Sequence, residues 1–457
     1  MIKKVLIANR GEIALRVIRA CREMGIKTVA IHSTVDSEAM FVKMADESVC
    51  IGPAPSPQSY LNKSAIISAA TITNADAVHP GYGFLSENAE FAEMLEAHGI
   101  EFIGPSPDHL RRMGDKVEAK RTAVEIGIPV IPGSDGALDT LEEAIETARK
   151  FGYPVIVKAA SGGGGRGMKI CPDEKALIEL FPVAKLEAKN AFGDDRVYME
   201  KYLTNPKHIE LQVMGDKYGN AVVFGERDCS VQRRHQKVIE EAPASILKDD
   251  ERKYIIETVR TAMEKMKYRG AGTIELLFEE GQFYFMEMNT RLQVEHPVTE
   301  QVYGVDLVRE QIRVASGEKL GYTQADVKAN GYAIECRINA EDPETFMPSP
   351  GLVKHYHAPG GLGVRVDSGM YSGYRIPTNY DSMVAKLITF APTREKCIAR
   401  TAQALSEFVF DGIKTVIPLQ QEILQQKEFI DGTYSIKWLE KWLADGKPGL
   451  KKEEEKK

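Results

Sequence analysis

Phe283-Tyr284-Phe285-Met286-Glu287-Met288-Asn289-Thr290-Arg291-Leu292-Gln293-Val294-Glu295 runs from an apolar stretch into one where every second residue is charged or an amide. Strand side chains alternate with a period of two. An extended reading therefore puts Glu287, Asn289, Arg291, Gln293 and Glu295 on one face, where carboxylate, amide and guanidinium groups gather. A solvated edge strand shows the same alternation, but such edges usually carry Lys and Thr. Polar groups emerging from a buried strand need partners.

Upstream, Thr273–Phe278 and Gln282–Met288 flank Glu279-Glu280-Gly281, which reads as a hairpin. With Phe278 paired to Gln282, Glu275 lies opposite Phe285 and diagonal to Glu287 on the same face, about 7–8 Å away at Cα. Such carboxylates, with Asn289 as a third oxygen donor, suit Mg²⁺ or Mn²⁺ bridging phosphates and not Zn²⁺. The register is decisive, because a one-residue slip puts Glu275 on the other face.

Two further segments point to anionic reactants. Ser161-Gly162-Gly163-Gly164-Gly165-Arg166-Gly167-Met168 sits between two short β runs. Its glycines let backbone N–H groups approach a ligand closely, although the Gly-Lys-Ser/Thr ending of a Walker A loop is absent. Simple flexibility is the plain alternative, at a high entropic cost for a mere turn. Lys158 just before the loop and Lys116 further upstream can supply positive charge to nucleotide phosphates. The second segment is Glu226-Arg227-Asp228-Cys229-Ser230-Val231-Gln232-Arg233-Arg234-His235-Gln236-Lys237. Its cations read either as a solvated basic loop or, beside a metal and a glycine loop, as part of an anion site. His208 and His235, each taken singly, read as structural, and His355 and His357 read as surface residues of one strand face. No histidine spacing is diagnostic of zinc.

Short β runs at Lys4–Ala8, Thr28–His32, Ala77–His79 and Glu101–Ile103, with a helix over Ile13–Met24, predict a doubly wound parallel sheet. The first turn holds Gly11 and lacks G-x-G-x-x-G, so a dinucleotide site there has weak support. Gly104-Pro105-Ser106-Pro107 closes this unit. A helix over Lys116–Gly127 then leads into a small α/β module reaching about Leu203, with a helix over Leu141–Phe151 and strands at Pro154–Ala159 and Met168–Ile170. Beyond His208 the chain is richer in strands, with Ile209–Met214 and Ala221–Glu226 the next to stand out.

At 457 residues the chain exceeds one core and predicts two to four domains. Its 43% hydrophobic and 27% charged residues are those of an ordinary soluble globular protein. The longest apolar runs fall far short of the ~20 residues of a membrane helix. Met1–Ala8 mimics a signal peptide only briefly before Asn9-Arg10-Gly11-Glu12 interrupts it, which predicts a first strand. The six cysteines are scattered without a C-x-x-C pair, arguing against zinc ribbon, redox motif or disulfide framework and for a reducing cytoplasm. A net charge of −7 gives no bulk attraction for nucleic acid or anionic lipid. The segment Lys451–Lys457 has no apolar residue to bury and predicts a disordered tail.

These residues resemble the ATP-grasp biotin carboxylases, the ATP-dependent half of acetyl-CoA carboxylase and its relatives. The likeness runs through Ile7–Ala14, His79–Asn88, the glycine loop, Glu226–Lys237, Glu287–Pro297 and Glu335-Cys336-Arg337-Ile338-Asn339-Ala340-Glu341. It covers about residues 1–445 with no departure at a motif position. The resemblance implies an α/β ATP-grasp fold with an N-terminal doubly wound parallel-sheet domain (1–114) and an ATP-grasp domain (115–330) carrying a small mobile lid (about 131–203). A C-terminal strand-rich α+β domain (331–445) and a charged tail (446–457) follow.

It further implies ATP contacts at Lys116, Lys158, Gly164, Gly165, Glu200, Lys201, Tyr202, Leu203, His208 and His235, with Glu200–Leu203 as the adenine hinge. Glu275, Glu287 and Asn289 match metal ligands for Mg²⁺ or Mn²⁺, with two ions expected. Lys237, Arg291, Gln293 and Val294 match the bicarbonate site, Glu295 the general base, and Arg337 the group facing the biotin ureido oxygen. A homodimer is implied as well. The chain lacks a Met-Lys-Met acceptor tripeptide, the nearest being Lys265-Met266-Lys267-Tyr268. A separate biotin carboxyl carrier protein and separate carboxyltransferase subunits are therefore expected as partners, with no nucleic acid or membrane. Acetyl-CoA is the expected acceptor downstream, pyruvate or propionyl-CoA the alternatives. A ligase joining a carboxylate to an amine would share the glycine loop and metal carboxylates without needing Arg291-x-Gln293-x-Glu295 or Arg337. A non-catalytic nucleotide-binding scaffold would have no reason to keep all six of Glu275, Glu287, Asn289, Lys237, Arg291 and Glu295.

Overall fold

The computed structural model describes residues 2–159, 168–192 and 194–447. They form two compact units, one of Met1–Ile128, Lys207–Leu276 and Met286–Lys457, the other of Pro129–Pro206 with Leu277–Phe285.

In the first unit, β1 (Lys4–Ile7), β2 (Lys27–Ser33), β3 (Glu47–Gly52), β4 (Ala77–His79) and β5 (Glu101–Phe102) make a parallel sheet in the order β3-β2-β1-β4-β5. Val5, Leu6 and Ile7 of the central strand are fully buried, the apolar run that a parallel sheet covered on both faces demands. The strand β3 escapes sequence reading because it lies at the sheet edge, with Glu47, Ser48 and Cys50 exposed. Asn9, just past β1, donates through Nδ2 to the carbonyls of Pro80 (2.7 Å) and Tyr82 (2.8 Å) and so shapes the His79–Gly83 turn.

The second unit has its own small sheet of β6 (Val155–Ala159), β7 (Met168–Cys171) and β8 (Val197–Lys201), antiparallel in the order β7-β6-β8. Ala144 and Ala148 of the helix Leu141–Phe151, and Leu177, Phe181 and Ala184 of the helix Glu174–Phe192, share a core with Val155, Val157, Val197 and Met199. Glu279 accepts hydrogen bonds from the backbone N–H groups of Thr204 and Asn205 and from Thr204 Oγ1. Exchanging Glu279 for Ala is expected to cost about 1–2 kcal/mol, measured as a lowered denaturant midpoint for the transition that exposes this unit.

A second sheet of eight strands runs in the order β13-β12-β9-β10-β11-β14-β17-β16. These are β9 (Lys207–Gly215), β10 (Ala221–Arg233), β11 (Gln236–Ala242), β12 (Gly270–Glu279), β13 (Gln282–Asn289), β14 (Tyr332–Asn339), β16 (Val364–Ser368) and β17 (Met383–Ala391), while β15 (His355–His357) pairs with β18 (Val409–Asp411). Its residues fall in the first unit except Leu277–Phe285. Two sequence expectations are corrected here. The β12–β13 turn is the two-residue Glu280-Gly281, both at positive φ (52° and 77°), because β12 continues through Glu279. That geometry is a primed hairpin turn, which matches strand twist. The basic segment is no loop: β10 runs unbroken to Arg233, and only Arg234 and His235, at φ 48° and 63°, turn the chain into β11.

Candidate active site

His208-Ile209-Glu210-Leu211-Gln212-Val213 alternates polar and apolar residues along β9, yet every one is buried. The polar face survives in the interior because Arg227 of the neighbouring β10 satisfies it. This fully enclosed guanidinium donates to Glu210 Oε1 (2.5 Å), Gln212 Oε1 (2.8 Å), Thr299 Oγ1 (2.9 Å), Thr273 Oγ1 (3.2 Å) and Gln293 Oε1 (2.6 Å). Four segments distant in sequence are thereby tied to one cation.

Lys237 extends this network from β11, directly opposite Gln232 on β10. Its Nζ lies 2.6 Å from Glu210 Oε2, 3.1 Å from Glu275 Oε1 and 2.5 Å from Glu295 Oε1. Arg337 of β14 grips the other oxygen of the same carboxylate, Nη2 to Glu295 Oε2 at 2.8 Å. Burial alone would push the Glu295 carboxyl up, but Lys237, Arg337 and Arg227 outweigh it and hold the group well below its usual range. Burial likewise disfavours the Lys237 ammonium, yet Glu210 and Glu295 raise it well above the ordinary lysine value. The result is an ionised carboxylate clamped between two permanent cations.

The expectation that Glu287 to Glu295 is one strand face does not hold. The strand β13 ends at Asn289, Thr290–Glu295 is irregular, and the helix His296–Tyr303 begins immediately after Glu295 with Pro297 in its first turn. The polar groups still converge, by a turn instead of a pleat. Asn289 Nδ2 and Gln293 Nε2 both donate to Glu275 Oε1, at 2.9 and 2.7 Å. Arg291 spans Glu87 Oε2 and Asn289 Oδ1, each at 2.8 Å. The Val294 carbonyl accepts from the fully buried Lys386 Nζ at 2.8 Å.

Within the expected metal set, Glu275 and Asn289 adjoin, and His208 Nε2 lies 3.2 Å from Glu275 Oε2. Burial opposes the Glu275 charge, but Lys237 and His208 override it and lower its pKa. His208, Glu210 and Glu275 bring ligand atoms within 4.8 Å of one another. Glu287 is exposed beside exposed Met286, so the strict alternation assumed for β13 breaks at this point.

Of the nucleotide set, five described residues, Lys158, Glu200, Lys201, Tyr202 and Leu203, fall in the second unit. Lys158 Nζ pairs with Glu200 Oε2 at 2.5 Å across β6 and β8. The Lys201 N–H donates to Pro132 O and the Tyr202 N–H to Pro154 O, so backbone bonds hold this segment, and Leu203 is buried. His208 and the exposed His235 belong to the first unit. Gly164, Gly165 and the side chain of Lys116 lie outside the described residues. Sequence reading assigned no role to Arg227, Glu210, Glu87 or Lys386. The alternation over His208–Val213 was the available signal for Glu210, the basic segment Glu226–Lys237 held Arg227 and the motif His79–Asn88 held Glu87, whereas nothing local marks Lys386.

Family models match consecutive stretches of the chain: the biotin carboxylase N-terminal domain over residues 1–110, the ATP binding domain of carbamoyl-phosphate synthase L chain over 115–323, and the biotin carboxylase C-terminal domain over 335–441. A biotin carboxylase of Haemophilus influenzae is 58% identical over 445 residues, covering 97% of this chain and 99% of the relative. Among solved structures, the biotin carboxylase subunit of a pyruvate carboxylase matches with a TM-score of 0.90 at 51% identity over 97% of this chain and 98% of its own. The biotin carboxylase domain dimer of the Hydrogenobacter thermophilus 2-oxoglutarate carboxylase, in complex with MgADP, ADP and bicarbonate, matches at 0.85 and 50% over 97% and 98%. The fold, with its N-terminal parallel sheet, central domain and C-terminal antiparallel sheet, is that of the ATP-grasp enzymes. The chain belongs to the biotin carboxylase family.

Proposed function

We propose that this chain uses ATP and bicarbonate to carboxylate biotin on a separate carrier protein, releasing ADP and phosphate, as the first half-reaction of an acetyl-CoA carboxylase. The observation that carries the reading is Glu295 held ionised between Lys237 and Arg337. A carboxylate there takes the proton of bicarbonate as its oxygen attacks the γ-phosphorus, and Lys237, Arg291, Gln293 and the Val294 backbone bind that anion. Carboxyphosphate then divides into CO₂ and phosphate. Phosphate removes the N1 proton of biotin, and N1 attacks CO₂ while Arg337 stabilises the negative charge on the ureido oxygen.

Lys116, Lys158, Gly164, Gly165, Glu200, Lys201, Tyr202, Leu203, His208 and His235 are the proposed nucleotide contacts. Glu275, Glu287 and Asn289 would hold Mg²⁺ or Mn²⁺, a fit supported by oxygen donors and by the ionised state of Glu275. Bound there, the ion supplies charge neutralisation on the transferring phosphate. We divide the chain into domains at 1–114, 115–330 and 331–445, with 131–203 as lid and 446–457 as tail. The proposed setting is a cytoplasmic homodimer working with a biotin carboxyl carrier protein and carboxyltransferase subunits. Among the described residues no helix is long and apolar enough to cross a membrane. Pyruvate remains the second acceptor to test, since a pyruvate carboxylase subunit is among the similar structures.

The deciding experiment is phosphate release from Mg-ATP, omitting bicarbonate and free biotin in turn. Release that requires bicarbonate and rises with biotin supports the reading. Turnover indifferent to both would shift it to another ATP-grasp ligase, and no turnover to a scaffold. A streptavidin blot of the purified chain is expected to be blank; covalently attached biotin would remove the need for a separate carrier.

A further inference from the structure

Arg337 has a second carboxylate partner that the reaction above does not use. Its Nε donates to Glu240 Oε1 at 2.5 Å while Nη2 holds Glu295. Glu240 on β11 stands directly opposite Glu335 on β14 in the antiparallel ladder. Opposed residues share a face with Cβ atoms about 4.5–5.5 Å apart, and both glutamates are 0% exposed. Among the described residues, neither Glu335 oxygen has a hydrogen-bond partner, and Glu240 Oε2 has none. Two carboxylates crowded into one buried site do not both ionise. The one with a cation in direct contact keeps its charge, and that one is Glu240.

We propose that Glu240 is a positioning residue for Arg337, acting as a carboxylate because Glu335 across the ladder holds the proton that the pair shares. The proposal rests on the biotin-carboxylating reading. Held on one edge by Glu240 and on another by Glu295, the planar guanidinium has its orientation fixed. The charged groups facing the pair are Lys237 on β11, Arg337 on β14, Lys386 on β17 and Glu295 ahead of its helix. Burial raises both carboxyls. Glu335 goes well above the usual range despite Lys386, whereas Arg337 limits Glu240 to about 7 against the repulsion of Glu295. Protonation of Glu240 as pH falls through about 7 removes the charge-assisted bond to Arg337 Nε. Biotin-dependent turnover should fall with it.

The test compares full-length Glu240→Gln, Glu240→Asp and Glu335→Gln by biotin- and bicarbonate-dependent phosphate release across pH, and by the infrared carbonyl absorption of protonated carboxyls. Glu240→Gln is expected to lower kcat/KM for biotin on the order of 10- to 100-fold, to erase the acid limb near pH 7, and to leave the KM for ATP unchanged. Glu240→Asp restores part of the loss. Glu335→Gln replaces a neutral group by a neutral group, so it keeps turnover close to the parent and loses one protonated-carboxyl band. A Glu240→Gln variant with the parent's biotin KM and pH profile overturns the proposal, as does a Glu335→Gln variant that is equally impaired or that keeps the band. Parent turnover indifferent to biotin would instead overturn the functional reading, and the infrared band would still judge where the proton sits.

Discussion

Arg337→Ala is expected to lower biotin carboxylation about 10²- to 10³-fold, the usual consequence of removing one donor from a developing oxyanion, with nucleotide affinity unchanged. The guanidinium is half-buried at the junction of Glu240 and Glu295, and those two carboxylates outweigh the burial to keep it more firmly protonated than an ordinary arginine. Its charge is therefore available at every working pH. Lysine should not substitute, because a point charge cannot hold two carboxylates and face an oxyanion in one plane. Steady-state kinetics with biotin varied, beside calorimetric titration of the nucleotide, checks both halves. Loss of nucleotide binding would show that Arg337 has been given the wrong role.

Glu295→Gln is expected to slow carboxylation about 10²- to 10⁴-fold by deleting the proposed base, again with ATP binding preserved. The amide keeps the shape of the side chain, and Lys237 and Arg337 retain Glu210 and Glu240 as partners. The pH behaviour separates this residue from Glu240. Lys237, Arg337 and Arg227, working against burial, hold the Glu295 carboxyl well below 4.5, so its charge persists throughout the neutral range. A depressed carboxyl contributes stability above its unfolded pKa and loses it as pH falls through the folded one. The parent should thus lose more stability than Glu295→Gln on acidification well below 4.5, while any acid limb near neutrality survives only in variants that keep Glu240. Parallel acid-unfolding curves for the two proteins would contradict this assignment.

Much of the chain could be read without coordinates. The strands β1, β2 and β4, the helix Leu141–Phe151 and the β12–β13 hairpin were visible because apolar periodicity and turn residues are local signals. The convergence of Asn289, Gln293, Lys237 and Glu295 was anticipated from residue types and family likeness, although the geometry behind it was wrong: β13 stops at Asn289 and a turn completes the site. The segment Glu226–Lys237 looked as much like a surface loop as a site because charge alone does not report burial. Arg227 and Asp228 within it become interior residues only because β9 brings Glu210 to Arg227 and Lys207 to Asp228.

Alone, the sequence determined the alternation of elements, the kinds of chemistry available and the family. Those follow from local pattern and from motifs carried within short segments. Only the tertiary structure decided which charges neutralise one another, that Arg227 is a buried hub, that Glu240 faces Glu335, and that Lys386 supports the Val294 carbonyl. The physical reason is that desolvated charges depend on partners dozens to hundreds of positions away, and strand register, which no local window contains, brings those partners within hydrogen-bond distance.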